Sequence, residues 1–172
     1  MLRRTDNRSG FTLIELSIYI GVMGFVLIAL FGFFLFLTQH RVKNQVVAEV
    51  EQQGAQAMQL ILQTIRNADA INSPVPAASA TSTSIDVFDV ADDPTIFSLA
   101  GGVIQMTEAG GSAVDLTSSN VAASGLRFEN VARTGTEDFL KVEFTLTHPE
   151  AGVSSVYNYQ RTFYGSAAVR EP

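Results

Sequence analysis

The chain contains no cysteine and only two histidines, His40 and His148, far apart in sequence. Disulfides, thiolate nucleophiles and the usual zinc ligand sets are therefore excluded, and any folded part must hold together by packing alone. The missing cysteines say nothing about compartment. Charge is scarce as well: 16% of the 172 residues are charged, the formal net charge is −6 and the pI is near 4.8. Binding a polyanion requires clustered Lys and Arg, so no nucleic-acid partner is expected. A chain of this length allows one modest domain plus an accessory segment and leaves no room for a large enzyme.

What charge there is sits unevenly. Residues 1–10 carry Arg3, Arg4 and Arg8 against Asp6, a net +2, which leaves −8 for the rest. Behind this basic start, Leu16 to Leu37 are 22 consecutive residues without a formal charge. As a helix they would measure about 33 Å, enough to cross a bilayer. A cleaved secretory signal has a shorter apolar core and a small-residue cleavage site at its far end. Here the run passes instead into "TQHRVKNQVVAEVEQQ", which keeps helical character, so the apolar segment is expected to be retained. The three arginines favour a cytoplasmic N-terminus, against the weaker opposing pull of Arg41 and Lys43.

Glu15 stands one residue ahead of this run, where a carboxylate in hydrocarbon costs about 2.5–3.5 kcal/mol. The residues around it account for its presence. With its short basic leader, "GFTLIE" resembles the processing motif of type IV prepilins and the related pseudopilins. In that family a Gly precedes the cut, a Phe follows it and a Glu is the fifth residue of the mature chain. The matching residues here are Gly10, Phe11 and Glu15, and the likeness continues through "TLIELSIYIGVMG" to Gly24.

The resemblance implies that a membrane prepilin peptidase cuts between Gly10 and Phe11 on the cytoplasmic face and methylates the new amine of Phe11. Gly10 suits a narrow protease cleft because it has no side chain. Glu15 would meet the N-terminal amine of a neighbouring subunit in a filament, a buried pair that specifies register more than it adds stability. Many major pilins carry a proline in mid-helix where this chain has Gly32. Together with Gly21 and Gly24, that glycine would permit close helix packing or local melting.

Beyond the apolar run, Val47, Val50, Gly54, Ala57, Met58, Ile61, Ile65 and Ala68 recur at three- and four-residue spacing between polar positions, the signature of an amphipathic helix. It is expected to reach about Asn72, where "NSPVPAASATSTS" brings Pro74 and Pro76. The remainder reads as strands: "SIDVFDV", "TIFSL", "GVIQMTE", "AVDLTS", "GLRFENV" and, most clearly, "FLKVEFTLT". In the last, Leu140, Val142, Phe144 and Leu146 alternate with Lys141, Glu143, Thr145 and Thr147. After the turn "HPEAG", the run "VSSVYNYQRTFYG" would return as its antiparallel partner. Gly101-Gly102 and Gly110-Gly111 punctuate two earlier hairpins.

Other residue groups invite functional readings of their own. Asp86, Asp89, Asp92 and Asp93 could offer oxygen ligands to calcium, but the EF-hand glycine and terminal glutamate are missing, and a solvated strand end with an Asp-Pro turn is favoured. His40 and His148 have no triad partners nearby in sequence. Tyr157, Tyr159, Phe163 and Tyr164, with Arg161 and Arg170, could form an aromatic and basic surface, although a half-buried sheet needs aromatics for packing in any case.

The expected architecture is α+β, with a long N-terminal helix packed on an antiparallel β-sheet head. Its parts are a leader (1–10), a transmembrane and filament-core helix (11–38), an amphipathic helix (39–72) and a β-rich head (73–172). The expected role is that of a structural subunit, not an enzyme, with no metal or other cofactor. The ordering of the head and the lack of a C-terminal disulfide resemble minor pilins of the W or J type. Expected partners are the prepilin peptidase, other pilin subunits through the N-terminal helix, and membrane lipid before assembly. The chain would start as a single-pass inner-membrane protein with its head outside the cytoplasm, and end in a surface or periplasmic filament. The alternatives are a pseudopilin of a type II secretion system, or a single-pass anchor for a binding or enzymatic domain.

Overall fold

The apolar run and the amphipathic stripe behind it form one uninterrupted helix, α1 (Leu13–Arg66), in a computed structural model that describes residues 12–133, 136–149 and 158–169, apart from the side chains of residues 39, 40 and 42. The chain divides into two units, Met1–Arg41 and Val42–Pro172. In the first, Gly21, Gly24 and Gly32 are all helical, and a Cβ added at any of them would meet nothing. These glycines bare the helix backbone without breaking it.

In the second unit, α1 buries Val46, Val50, Ala57, Met58, Ile61 and Ile65 on one stripe. The stripe begins at Val46, with Val47 half-buried beside it. Its target is a core shared by two antiparallel sheets. One has the order β1-β3-β4-β5-β6, built from β1 (Ala68–Ser73), β3 (Thr83–Val87), β4 (Thr95–Ala100), β5 (Val103–Glu108) and β6 (Val114–Asp115). The other has the order β2-β7-β8-β9, built from β2 (Ser79–Ala80), β7 (Ala122–Asn130), β8 (Phe139–Thr147) and β9 (Gln160–Ala168). The protein is thus α+β, a long N-terminal apolar helix with antiparallel sheets.

Two expectations about boundaries need correction. The helix stops at Arg66, not at about Asn72, and Ala68–Ser73 is a strand paired antiparallel with β3. The N–H of Asn67 is shared between the carbonyls of Gln63 and Thr64, both at 3.2 Å, which closes the last turn. The proline-containing stretch after Asn72 is also more than a divider. It carries β2, which pairs with β7 through Ser79↔Glu129 and Ala80↔Phe128, and so ties the segment after the first sheet's edge to the second sheet.

The alternation read in 139–147 holds, with Leu140, Val142, Phe144 and Leu146 fully or almost fully buried, and β9 returns antiparallel along it from Thr147↔Gln160 to Phe139↔Ala168. In β7 the inward phase slips from Ala123 to Leu126. A register shift between Ser124 and Arg127, with Gly125 at φ 63°, inserts one extra residue there, and glycine takes that backbone conformation without a Cβ penalty. The hairpin between β4 and β5 turns on Gly101 and Gly102, at φ 59° and 79°.

One buried polar side chain joins these pieces. Asn130 is completely buried. Its Nδ2 donates to the Pro74 carbonyl at 3.0 Å and to Asp138 Oδ1 at 2.8 Å, while its Oδ1 accepts from the Ala132 N–H at 3.1 Å. Its backbone N–H donates to Ala78 O at 2.9 Å. Asn130→Ala strands a buried carbonyl and a buried N–H, so the intact protein in detergent should lose about 3 kcal/mol of stability. Thermal unfolding followed by circular dichroism reads this directly, and an unchanged midpoint would remove Asn130 as the junction.

Candidate functional site

Helix α1 starts where its sequence provides a cap. Thr12 Oγ1 accepts the Glu15 N–H at 3.3 Å and Thr12 O accepts the Leu16 N–H at 3.1 Å, so Thr12 is the N-cap and Glu15 the third helical residue. "TLIE" is therefore a Thr-x-x-Glu capping signature immediately before an apolar run. It could have been read from sequence, and Thr12 is the residue that reading missed. A carboxylate in the first turn also faces the partial positive charge of the helix N-terminus. Gly10 and Phe11 lie outside the described residues.

Past the cap the helix is apolar on every side. Large side chains from Leu13 to Leu37 are exposed, from 40% for Leu37 to 84% for Leu13, and the helix is long and apolar enough to cross a membrane. The serine and threonine hydroxyls here are satisfied by the helix itself: Ser17 Oγ donates to Leu13 O at 3.0 Å and Thr38 Oγ1 to Phe34 O at 2.9 Å. This lets a hydroxyl lie in a non-aqueous environment without a lost hydrogen bond.

Nearer the core, α1 is fastened to the strands by polar contacts on both flanks of its apolar stripe. On one flank Gln53 Oε1 accepts the Ser118 N–H and Gln53 Nε2 donates to Ser118 Oγ, each at 2.8 Å, while Asn120 Nδ2 donates to Glu49 Oε1 at 2.8 Å. On the other, the Glu51 carboxylate accepts from the Tyr159 hydroxyl and from the Arg161 guanidinium. Between the flanks the contact is close. A Cβ at Gly54 would lie 2.1 Å from Phe163 Cζ, and one at Gly165 2.4 Å from Met58 Sδ.

The aromatic and basic face of β9 is therefore a packing and latching surface directed at α1. Tyr159 and Phe163 are half-buried, Phe163 stacks on Phe144 at 5.4 Å, and the Arg161 guanidinium carbon sits 5.5 Å from the Phe163 ring centroid. Tyr164 points away, 72% exposed. Tyr157 and Arg170 lie outside the described residues, as does the His40 side chain. The acidic group has local roles: Asp86 accepts from Asn72, Asp89 from the Ala91 N–H at 3.0 Å, and Asp93 from the Val87 N–H at 3.3 Å. His148 is half-buried, and its N–H donates to Tyr159 O at 3.1 Å.

Residues 5–31 match the family described as the prokaryotic N-terminal methylation motif. This match supports a type IV prepilin-like chain. The matched segment contains Gly10, Phe11 and Glu15, together with the Thr12 cap and the first part of the exposed apolar helix. No curated protein and no solved structure matches the chain. The family of this motif is structural, and the motif implies processing by a prepilin peptidase and assembly with other pilins.

The Glu51 latch titrates. Hydrogen bonds from Tyr159, then from Arg161, hold the Glu51 carboxyl below its ordinary range, and the Tyr159 phenol is pushed up mainly by its bond to Glu51. A depressed carboxylate contributes stability above its unfolded value and loses it as pH falls through its folded value; a raised phenol contributes below its unfolded value and loses it as pH rises. Glu51→Gln should lower the melting midpoint at neutral pH by a few degrees, a small effect because the pair is partly solvated. The gap between variant and parent should be full above the ordinary Glu value of 4.5 and close as the pH falls through the lowered folded value. Thermal melts at several pH values check this, and a gap independent of pH would show that Glu51 acts by packing alone.

Proposed function

We propose that this protein is a structural subunit of a type IV pilus-like filament, cleaved after Gly10 and N-methylated on Phe11 by a prepilin peptidase. It would assemble through its N-terminal helix. The observation that carries the proposal is a coincidence of positions. The methylation-motif match over residues 5–31 sits on a helix capped at Thr12, with only Phe11 between the cap and the proposed cut, and exposed apolar side chains on all sides beyond it.

Cleavage there would leave a mature chain that begins helix almost at once. The new amine of Phe11 would add a positive charge to a helix end that is already partially positive. Glu15 in the first turn offsets both, within one chain before assembly and between neighbours afterwards. Arg3, Arg4 and Arg8 would hold the leader in the cytoplasm, within reach of the peptidase, with the head on the far side. A minor subunit is favoured, since a chain without cysteine has no C-terminal disulfide of the kind many major pilins use.

Intact-mass measurement and N-terminal sequencing of the protein from its native membrane or from sheared filaments should find a chain that starts at N-methyl-Phe11. Gly10→Val should leave the longer precursor in the inner membrane. A chain starting at Met1 in cells with an active prepilin peptidase would reduce the segment to an ordinary anchor. Separately, Glu15→Ala should leave insertion and cleavage intact but lower incorporation into filaments, read as the ratio of sheared to membrane-bound protein. An unchanged ratio would take the assembly role away from Glu15.

A further inference from the structure

Within the second unit, the sheet formed by β2, β7, β8 and β9 turns one face to α1, where a Cβ on Gly165 would meet Met58 and Leu62. Its other face holds a depression of about 320 Å³ whose lining includes Arg127, Glu129, Lys141, Glu143, Tyr164 and Ser166. Strand pairing sets these side chains in two rows. Arg127 lies opposite Glu143 and Glu143 opposite Tyr164, while Glu129 lies opposite Lys141 and Lys141 opposite Ser166. Opposite charges at directly paired positions ordinarily gain by closing on each other. Among the described residues these four do not: Arg127 reaches Ser79 Oγ at 3.4 Å, and neither Glu129 nor Glu143 accepts from a cation. Beside them the Tyr164 ring is 72% exposed.

The lining selects a ligand by its chemistry. Two cations and two carboxylates cancel, so a ligand of either sign meets as much repulsion as attraction. An apolar ligand would strip water from four charges and return no hydrogen bond. A neutral saccharide meets both demands. Each of its hydroxyls can donate to Glu129 or Glu143 and accept from Arg127 or Lys141, and bonds to ionised groups are stronger than those between neutral ones. The C–H face of a sugar ring can lie on the flat apolar surface that the Tyr164 phenol offers. The volume is at the low end of the range for ligand sites, about 300–1,000 Å³, which suits a short saccharide.

We infer that this face binds a neutral oligosaccharide, with Tyr164 as the stacking platform and Arg127, Glu129, Lys141 and Glu143 as the hydrogen-bonding rim. The face continues in the same character along β8 and β9. Thr145 and Thr162, whose hydroxyls share a hydrogen bond at 2.8 Å, form the next row, and Thr147 and Gln160 the one after it. From Ser166 to Gln160 the strand runs about 20 Å, a track of uncharged hydrogen-bonding groups for further sugar rings. The binding goes beyond the filament-subunit reading and does not depend on it.

The test applies the full-length protein to an array of neutral, sialylated, sulfated and amine-bearing oligosaccharides. A zwitterionic detergent is used, because the headgroup of an alkyl glycoside would compete for the site. Neutral members are expected to bind, with a loss of about tenfold for Tyr164→Ala and severalfold for Glu143→Ala. Tyr164→Phe should keep the binding, since the ring and not the hydroxyl is the platform. Both alanine variants should melt with the parent, because neither side chain belongs to the buried core. No binding of neutral members, a preference for charged ones, or neutral binding indifferent to Tyr164→Ala would overturn the assignment. Each of those results leaves the filament-subunit reading in place, because the array requires neither cleavage nor assembly.

Discussion

The constraint on which the rest depends is the apolar surface of α1. Nineteen large hydrophobic side chains between Leu13 and Leu37 are exposed. At about 1.5–3 kcal/mol for burying each, leaving them in water forgoes some tens of kcal/mol, against a whole-domain stability of about 5–15 kcal/mol. No plausible packing in the second unit could carry that penalty, so this surface requires a non-aqueous partner, either lipid or other helices of the same kind. The apolar character on every side of the helix suits it to both. The self-satisfied hydroxyls of Ser17 and Thr38 lower the cost of leaving water.

A helix that changes solvent along its length must be held firmly where it becomes one-sided. Hydrophobic burial of Val50, Ala57, Ile61 and Ile65 supplies most of the attraction but little resistance to sliding. Direction comes from the polar contacts on either flank, Glu49 and Gln53 with Ser118 and Asn120, and Glu51 with Tyr159 and Arg161. Depth comes from Gly54 and Gly165, which let the Phe163 ring and the Met58 side chain lie against facing backbone. Slipping α1 by one turn would break both sets of hydrogen bonds and drive side chains into positions that only glycine can occupy.

Much of this was legible in the sequence, for definite physical reasons. The long uncharged run, the three-four spacing of the stripe and the strict alternation in 139–147 are strong periodic signals, and the structure follows them. The misread helix end has an equally definite cause. Ile65, Ala68 and Ile71 are spaced by three, as on a helix face, and all are buried. Ala68 and Ile71 owe that spacing to a bulged strand, whose register shifts between Ala68 and Ala70 and again between Ile71 and Ser73. A strand with irregular pairing imitates helical periodicity. The Glu51 latch and the Asn130 junction were beyond local pattern, since their partners lie 108 residues away at Tyr159 and 56 residues away at Pro74. The Thr12 cap was within reach, because its signature is complete in four adjacent residues.

That cap changes how the glutamate at the membrane edge is understood. In a full capping box the acidic side chain reaches back to the cap residue's own N–H, which would occupy the carboxylate. Here the Glu15 N–H is satisfied by Thr12, and among the described residues the Glu15 side chain accepts no hydrogen bond. Thr12 thus caps the helix start without drawing on the Glu15 carboxylate. A carboxylate beside hydrocarbon costs free energy until a cation meets it, and in the proposed filament the amine of a neighbouring Phe11 would be such a cation. Within one chain the amine of Phe11 would offset part of that cost, and the proposed pairing with a neighbour's amine would favour the axial register that supplies it.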